Sequence, residues 1–440
     1  MNQMEVPENK NLKAETKPNK AILALIFFAT IIIAIGFLPF VNPTLITAAS
    51  TSFVAPALPT GFGPILDSLK YEKSIHILAM LLVGFGFLMV FVRKHGFSSI
   101  TATFLVVSVG IPVYMLIKSF GIAGEAMSVT SIDTFIFAEF AAASLLIAIG
   151  APLGKLKMDQ YIIMAILFIP AYILNEWLLL ESGIFTGFLD TGGSVVIHAF
   201  GAYFGLGVVA NTYNKFKDLP ESENDKNSNQ FCLIGSMILW LFWPSFTSAL
   251  VAPDQVVITA INTIFALCGA TLATYVFTKL IRGKIEIEDI ANAALAGGVA
   301  IGTTCNLVTP GYAMLIGIAA GALSTIGYTI IAPKVEKLIR GTDTCGVHNL
   351  HGMPGLLGGL TGILVTGNAG IQAAGIIVTI IIAFSLGKVS GMIISLFGTK
   401  EVPFSDEDEF IVEHSASIMV AEAHAKASSI KTTEKEALVL

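Results

Sequence analysis

Charge is scarce in this sequence. Asp, Glu, Lys and Arg supply 13% of its 440 residues, hydrophobic residues supply 54%, and the mean hydropathy is +0.79. Soluble domains do not reach that balance, so the chain is read as a polytopic membrane protein. Cysteine is scarce too. The four, at 232, 268, 305 and 345, each fall inside or at the end of an apolar stretch, so free buried thiols and no disulfide are expected. No glycine-rich nucleotide loop, nucleophile motif or convincing metal cluster is found, which leaves an enzyme, a cofactor and nucleic-acid binding without support.

What is present is apolar length. Runs of the about 17 to 25 residues that cross a bilayer as helix fall at roughly 21–40, 74–92, 98–118, 131–152, 159–180, 190–213, 230–250, 255–280, 288–306, 310–332, 345–365 and 369–398. These twelve predict an all-α membrane protein, with 1–20 as a polar head, 21–398 as the transmembrane domain, and 399–440 as a polar tail containing the acidic cluster "SDEDEF". Head and tail are expected to be loosely attached. The 41 glycines suit this class, since small residues let spanning helices approach closely. With the N-terminus inside, seventeen basic residues of the head and loops are cytoplasmic and three, Lys70, Lys73 and Lys118, are outside. Short basic loops stay in the cytoplasm, so both termini are expected there. The first run is read as an uncleaved helix, because its polar head is long and the run is full-length.

Two of these runs begin alike. "DTGGSVVIHAFG" starts at Asp190 and "DTCGVHNLHGMPG" at Asp343, and in both a histidine follows the aspartate by eight positions, giving His198 and His351. These are the sixth and eleventh runs, so they cross the membrane in opposite directions and the repeat is inverted. Eight helical residues at ~1.5 Å each would carry each histidine about 12 Å inward, toward the middle of a hydrocarbon core about 30 Å thick. Two inverted halves with a site at their interface is the plan of a transporter or channel. Asp190 and Asp343 are expected above all to cap their helix starts. A lone intramembrane histidine could simply bond a neighbouring helix. Two at equivalent depth point to a pathway, because polar groups are costly there.

Cys345, His348 and His351 offer a rival metal site, but positions i and i+6 stand about 240° apart on a helix and would not converge. His348 is instead expected to pack between helices. The path carries few fixed charges away from its ends, and a desolvated cation would be expensive on it. Neutral imidazoles supply both a donor and an acceptor. Those residues favour a small, uncharged, hydrogen-bonding solute.

At this point several runs, taken in order, resemble one family over nearly the whole chain: "VGFGFLMVFVRKHGFS" (83–98), "LNEWLLL" (174–180), "IHAFGAYFGL" (197–206), "LWLFWPSFTSA" (239–249), "NAALAGGVAIGT" (292–303) and "DTCGVHNLHGMPGLLGGLTG" (343–362). The chain resembles the Rhesus branch of the ammonium transporter superfamily. That resemblance implies a homotrimer in the cell membrane with one pore per subunit, conducting ammonia delivered as ammonium, with methylamine and carbon dioxide as further candidates. It implies that His198 and His351 are the twin pore histidines and that Phe140 and Phe246 are stacked rings gating the outer mouth. Glu176 and Glu336 match acids near the outer and inner mouths, where they could concentrate ammonium. Without the resemblance, the two phenylalanines read as ordinary packing and the two glutamates as solvated interfacial carboxylates. The chain departs from the family at Glu139, where relatives usually carry Asp before the gating ring. It departs again at Asn42, where "NPT" blocks a glycosylation sequon. A non-conducting scaffold or ammonium sensor of the same fold is the alternative, and the presence of both histidines argues against it.

Overall fold

A computed structural model describes residues 31, 62–92, 96–212, 226–398 and 406–411. Apart from residue 31, the first expected run at 21–40 lies outside the described residues, as do the head and most of the tail. Regular structure among the described residues is entirely helical. A chain in hydrocarbon must satisfy each backbone N–H and C=O internally, and helices do so within one segment.

The helices follow the apolar runs. They are α1 (Gly63–Phe91), α2 (Gly96–Ser119), α3 (Ile132–Gly150) and α4 (Met158–Glu181); α5, which opens as Ser194–Ala199 and continues as Phe200–Thr212; α6 (Lys226–Thr247); and α7 (Pro253–Arg282). Then come α8, broken into Ile287–Ala293 and Ala296–Ile301; α9 (Pro310–Ile339); α10, which opens as His348–Gly352 and continues as Met353–Thr366; and α11 (Ala369–Ser395). Eight of the described helices are long and apolar enough to cross a membrane. The shorter or broken α5, α8 and α10 carry many of the most buried residues, and irregular backbone at membrane depth is tolerated where protein surrounds it.

Local chemistry sets several boundaries. Ser131 Oγ accepts from Asp133 N at the start of α3, and the Asn368 side chain accepts from Ile371 N at the start of α11. Gly283 and Gly367 end α7 and α10 in the left-handed conformation. The start of α1 differs from expectation. The helix begins at Gly63, with Pro64 in its first turn, and not near 74. Its first stretch, "GPILDSLKYEK", is polar enough to hide from a hydropathy reading, yet polar residues do not interrupt a helix.

The two aspartates act as caps. Asp190 Oδ2 accepts from Val195 N at 2.9 Å and Val196 N at 2.7 Å, while its Oδ1 accepts from Thr303 Oγ1 at 2.6 Å. Asp343 accepts from Val347 N at 2.9 Å and His348 N at 2.8 Å. The helices themselves start later than expected, at Ser194 and His348, after turns in which Gly193 (φ 78°) and Gly346 (φ 68°) are left-handed. The estimated helical advance of eight residues is therefore corrected: part of the path from each aspartate to its histidine is turn, not helix. In both segments the N–H two residues after the aspartate donates to a glycine carbonyl, Gly192 N to Gly302 O at 2.7 Å and Cys345 N to Gly150 O at 3.2 Å.

Close helix contacts come from small residues. A Cβ on Gly387 of α11 would strike Phe204 O of α5, and one on Gly207 of α5 would strike Phe384 O. The expectation of a wholly loose tail is also corrected at 406–411. Asp406 accepts from Phe97 N at 2.8 Å, Ser98 N at 2.9 Å and Ser98 Oγ at 2.6 Å, and Glu409 accepts from Met158 N at 3.0 Å. These carboxylates sit at the free N–H groups of α2 and α4, where negative charge is favoured.

Candidate functional site

His198 and His351 each lie in a first turn wound as π-helix, Ser194–Ala199 and His348–Gly352. Such wide turns recur at functional sites because they shift the direction in which a side chain leaves the helix. The two rings meet. Nδ1 of His198 is 3.2 Å from Nδ1 of His351, the ring centroids are 5.3 Å apart and the planes differ by 8°. The contact is edge to edge in nearly one plane.

This contact dictates protonation. One Nδ1 must carry hydrogen and the other must be bare, so the two imidazoles are opposite tautomers. Two N–H groups pointing at each other would repel, which disfavours a pair with both rings cationic. The ring that donates through Nδ1 then has a bare Nε2, and the other carries its hydrogen on Nε2. The pair thus offers one acceptor and one donor at its outer edges. His198 Nε2 is buried and has no protein partner.

Aromatic rings line up on either side. Phe246 of α6 lies 6.1 Å from the His198 ring, and Phe140 of α3 lies 4.7 Å from Phe246 with the planes inclined by 50°. The expected ring pair is therefore in contact, tilted and not parallel. Phe85 of α1 lies 6.1 Å from His351, so the order is Phe140, Phe246, His198, His351, Phe85. Beyond His351 lies a small apolar cavity whose wall includes Phe85, Leu146, Ile147, Val347 and Asn292. Trp243 of α6 stacks on His198 at 5.6 Å and 22°, and its Nε1 is buried without a protein partner.

The remaining expected residues are placed as follows. Glu176 does not line an open mouth: it is 3% exposed, and Tyr114 Oη donates to its Oε2 at 2.6 Å. Reading it as a solvated interfacial carboxylate is thereby corrected. Sequence position cannot reveal that α2 covers this face of α4 with Tyr114. Glu336 is partly buried, and its Oε1 accepts from Asp343 N at 3.1 Å, tying it to the start of α10. Asp190 and Asp343 cap helices away from the histidine edges. His348 packs edge-on against Tyr203 at 5.8 Å, apart from the pair. Among the described residues no group of His, Cys, Asp and Glu is arranged to hold a metal ion, and the four cysteines are free.

Sequence reading missed three neighbours of this column. Trp243 stands three residues before Phe246 on the same helical face, a spacing that could have found it. Phe85 gave no signal among 30 phenylalanines. Glu139, noted only as a departure from the family, is fully buried, accepts from Ser74 Oγ at 2.9 Å, and leaves Oε2 without a protein partner. Chemically, the column is an aromatic path with one two-sided hydrogen-bonding station. At the histidine pair itself a cation would lose hydration against imidazole and aromatic rings, whereas a small neutral molecule exchanges water for imidazole.

Comparison with known proteins places this geometry. A sequence model of the Ammonium Transporter Family matches residues 69–418. The chain is 41% identical over 318 residues to the ammonium transporter Rh type B of Papio hamadryas, covering 70% of this chain and 68% of that one. It is 36% identical over 406 residues to the Rh type B transporter of Takifugu rubripes, covering 84% and 87%. A solved structure of Rh50 from Nitrosomonas europaea, described with the conduction mechanism of the Rhesus family of channels, superposes with a TM-score of 0.79 at 48% identity, covering 86% of this chain and 100% of that one. Mep2 of Saccharomyces cerevisiae, at 17% identity, a TM-score of 0.65 and coverage of 80% and 94%, shares the fold. With the family matched along most of its length and its fold matched by Rh50, the chain belongs to the ammonium transporter family, on its Rh branch.

Proposed function

We propose that this chain conducts ammonia across a membrane, taking it from ammonium that loses its proton at the mouth. The observation that carries this reading is the Nδ1 to Nδ1 contact of 3.2 Å between His198 and His351, which forces opposite tautomers and leaves a donor and an acceptor for a neutral solute. Phe140 and Phe246 act as the outer gate and exclude water from the station behind them. Glu176, though buried, and Glu336 add negative potential toward the two mouths that favours ammonium over anions. Methylamine, one methyl larger, follows the same path, and carbon dioxide is a further candidate.

The architecture proposed with it is twelve helices in two inverted halves, counting the run at 21–40. The matching hydrogen bonds of Gly192 to Gly302 and Cys345 to Gly150, and the paired caps at Asp190 and Asp343, support that symmetry. The head at 1–20 and the tail from 399 lie in the cytoplasm, as the basic loops favour, and the protein sits in the cell membrane as a homotrimer. Native mass spectrometry from mild detergent should find three chains together, and a persistent monomer or dimer would contradict the trimer. Function is tested by uptake of radiolabelled methylamine into proteoliposomes. Saturable uptake above that of empty vesicles, reduced by added ammonium, is expected. A correctly folded protein giving no such uptake would favour a scaffold or sensor.

A further inference from the structure

Lys155 lies between α3 and α4 and is 8% exposed. Its ammonium reaches across to the segment preceding α10. It donates to Thr342 O, to Thr344 Oγ1 at 2.9 Å, and to Ala151 O of its own segment at 3.2 Å. The same two segments are stitched by Thr344 N to Ala151 O at 3.1 Å, Cys345 N to Gly150 O at 3.2 Å, and Thr344 Oγ1 to Leu153 O at 3.0 Å. Gly150, Cys345 and Val347 from these segments line the cavity beyond His351. The segment before α5 is held differently, by uncharged groups: Gln372 grips both N and O of Leu189, and Thr303 donates to Asp190.

Burying a cation is expensive, so packing alone would be served more cheaply by an apolar or hydroxyl side chain. An ammonium has three donors, and three acceptors converge on this one. The segment it grips carries Asp343, whose carboxylate caps the turn that holds His351. We infer that Lys155 is a positioning residue for conduction: its ammonium fixes the start of α10 and thereby the register of the His351 ring against His198. The inference rests on the proposed ammonia pathway.

The latch responds to pH. Burial pushes Lys155 down to about 8, opposed by the negative charges of Asp343 and Glu336 and by the Cys345 thiol beside it. Below that pH the ammonium supplies all three donors. Above it the neutral amine supplies two, and its lone pair faces an acceptor, so the latch loosens as the pH on this side rises through about 8.

The test uses the full chain in proteoliposomes, with ammonia conductance read from the rate of internal alkalinisation. Lys155→Met keeps the stem and removes the donors, and it should lower conductance by roughly ten- to a hundredfold, the upper figure being the scale of a misplacement near 1 Å at a site that depends on geometry. In a His351→Ala background the same substitution should cost less than about twofold, because residues acting through one another are not additive. Thr344→Val removes one acceptor and should give a smaller loss in the same direction. Wild-type conductance per unit of ammonia should fall as internal pH passes about 8, and Lys155→Arg, which does not titrate there, should flatten that step. Solid-state ¹⁵N NMR of labelled histidine reads the Nδ1 pair without transport, and Lys155→Met should shift its signals. A wild type no faster than empty vesicles would refute the ammonia pathway, while the NMR arm would still decide the role of Lys155. Unchanged histidine signals and unchanged conductance in Lys155→Met, or a loss that multiplies in full with His351→Ala, would overturn it.

Discussion

Gly298→Ala should obstruct the station without touching either histidine. A Cβ at Gly298 would lie 2.6 Å from Trp243 Cδ2 and 2.8 Å from its Nε1, and closer still to Cε2. Carbon atoms rest at about 3.5 to 4.0 Å, so the indole must shift by about 1 Å. A rigid bicyclic ring has no flexible end to fold away, and its face already stacks on His198 at 5.6 Å. Overpacking of this kind costs about 1–3 kcal/mol in stability. If about 1.4 kcal/mol of it falls on the narrow stretch, conductance drops roughly tenfold. Stopped-flow alkalinisation measures the conductance and thermal unfolding in detergent the stability. Gly298→Ala combined with Trp243→Leu returns the space, so its conductance should come back to that of Trp243→Leu alone. A Gly298→Ala protein with wild-type conductance and stability would refute the argument.

The cap geometry separates the two aspartates. Asp190→Ala loses two N–H bonds and the Thr303 hydroxyl, whereas Asp343→Ala loses two N–H bonds; each should destabilise by about 1–2 kcal/mol, with the larger fall in melting temperature for Asp190. Phe246→Ala opens the tilted ring pair and should raise methylamine uptake relative to ammonia, measured in the same vesicles; an unchanged ratio would remove Phe246 from the gate. External labelling of single cysteines, in a background without the native four, should reach positions in 41–72 and miss those in 214–229; strong labelling of the second loop would reverse the orientation.

The helices were legible because a bilayer demands long unbroken apolar runs, and those runs survive errors of several residues at each end. The histidine pair was legible for a different reason: the repeated Asp to His spacing gives two residues 153 apart equivalent positions in two segments. Less visible was what the chain does with backbone alone. Nothing in "GGSVVIHA" distinguishes a π turn beginning at Ser194 from an α-helix beginning at Asp190, since the difference is one hydrogen-bond register. The polar start of α1 was missed because hydropathy measures where a helix meets lipid, not where it begins. Burial of Glu176 depends on Tyr114, 62 residues away on another helix, and no local pattern encodes that pairing. Docking of Asp406 on Ser98 is longer-range still, at 308 residues.

The central claim is that the molecule passing His198 and His351 is neutral, and the most direct test is the sign of the internal pH change. An inward ammonium gradient imposed on proteoliposomes should alkalinise the interior faster than in empty vesicles, because each ammonia that arrives takes up a proton. His198→Ala, which removes one hydrogen-bonding partner at the station, should slow that rise. No acceleration over empty vesicles with verified folded protein, or acidification of the interior, would contradict passage of neutral ammonia through the histidine pair.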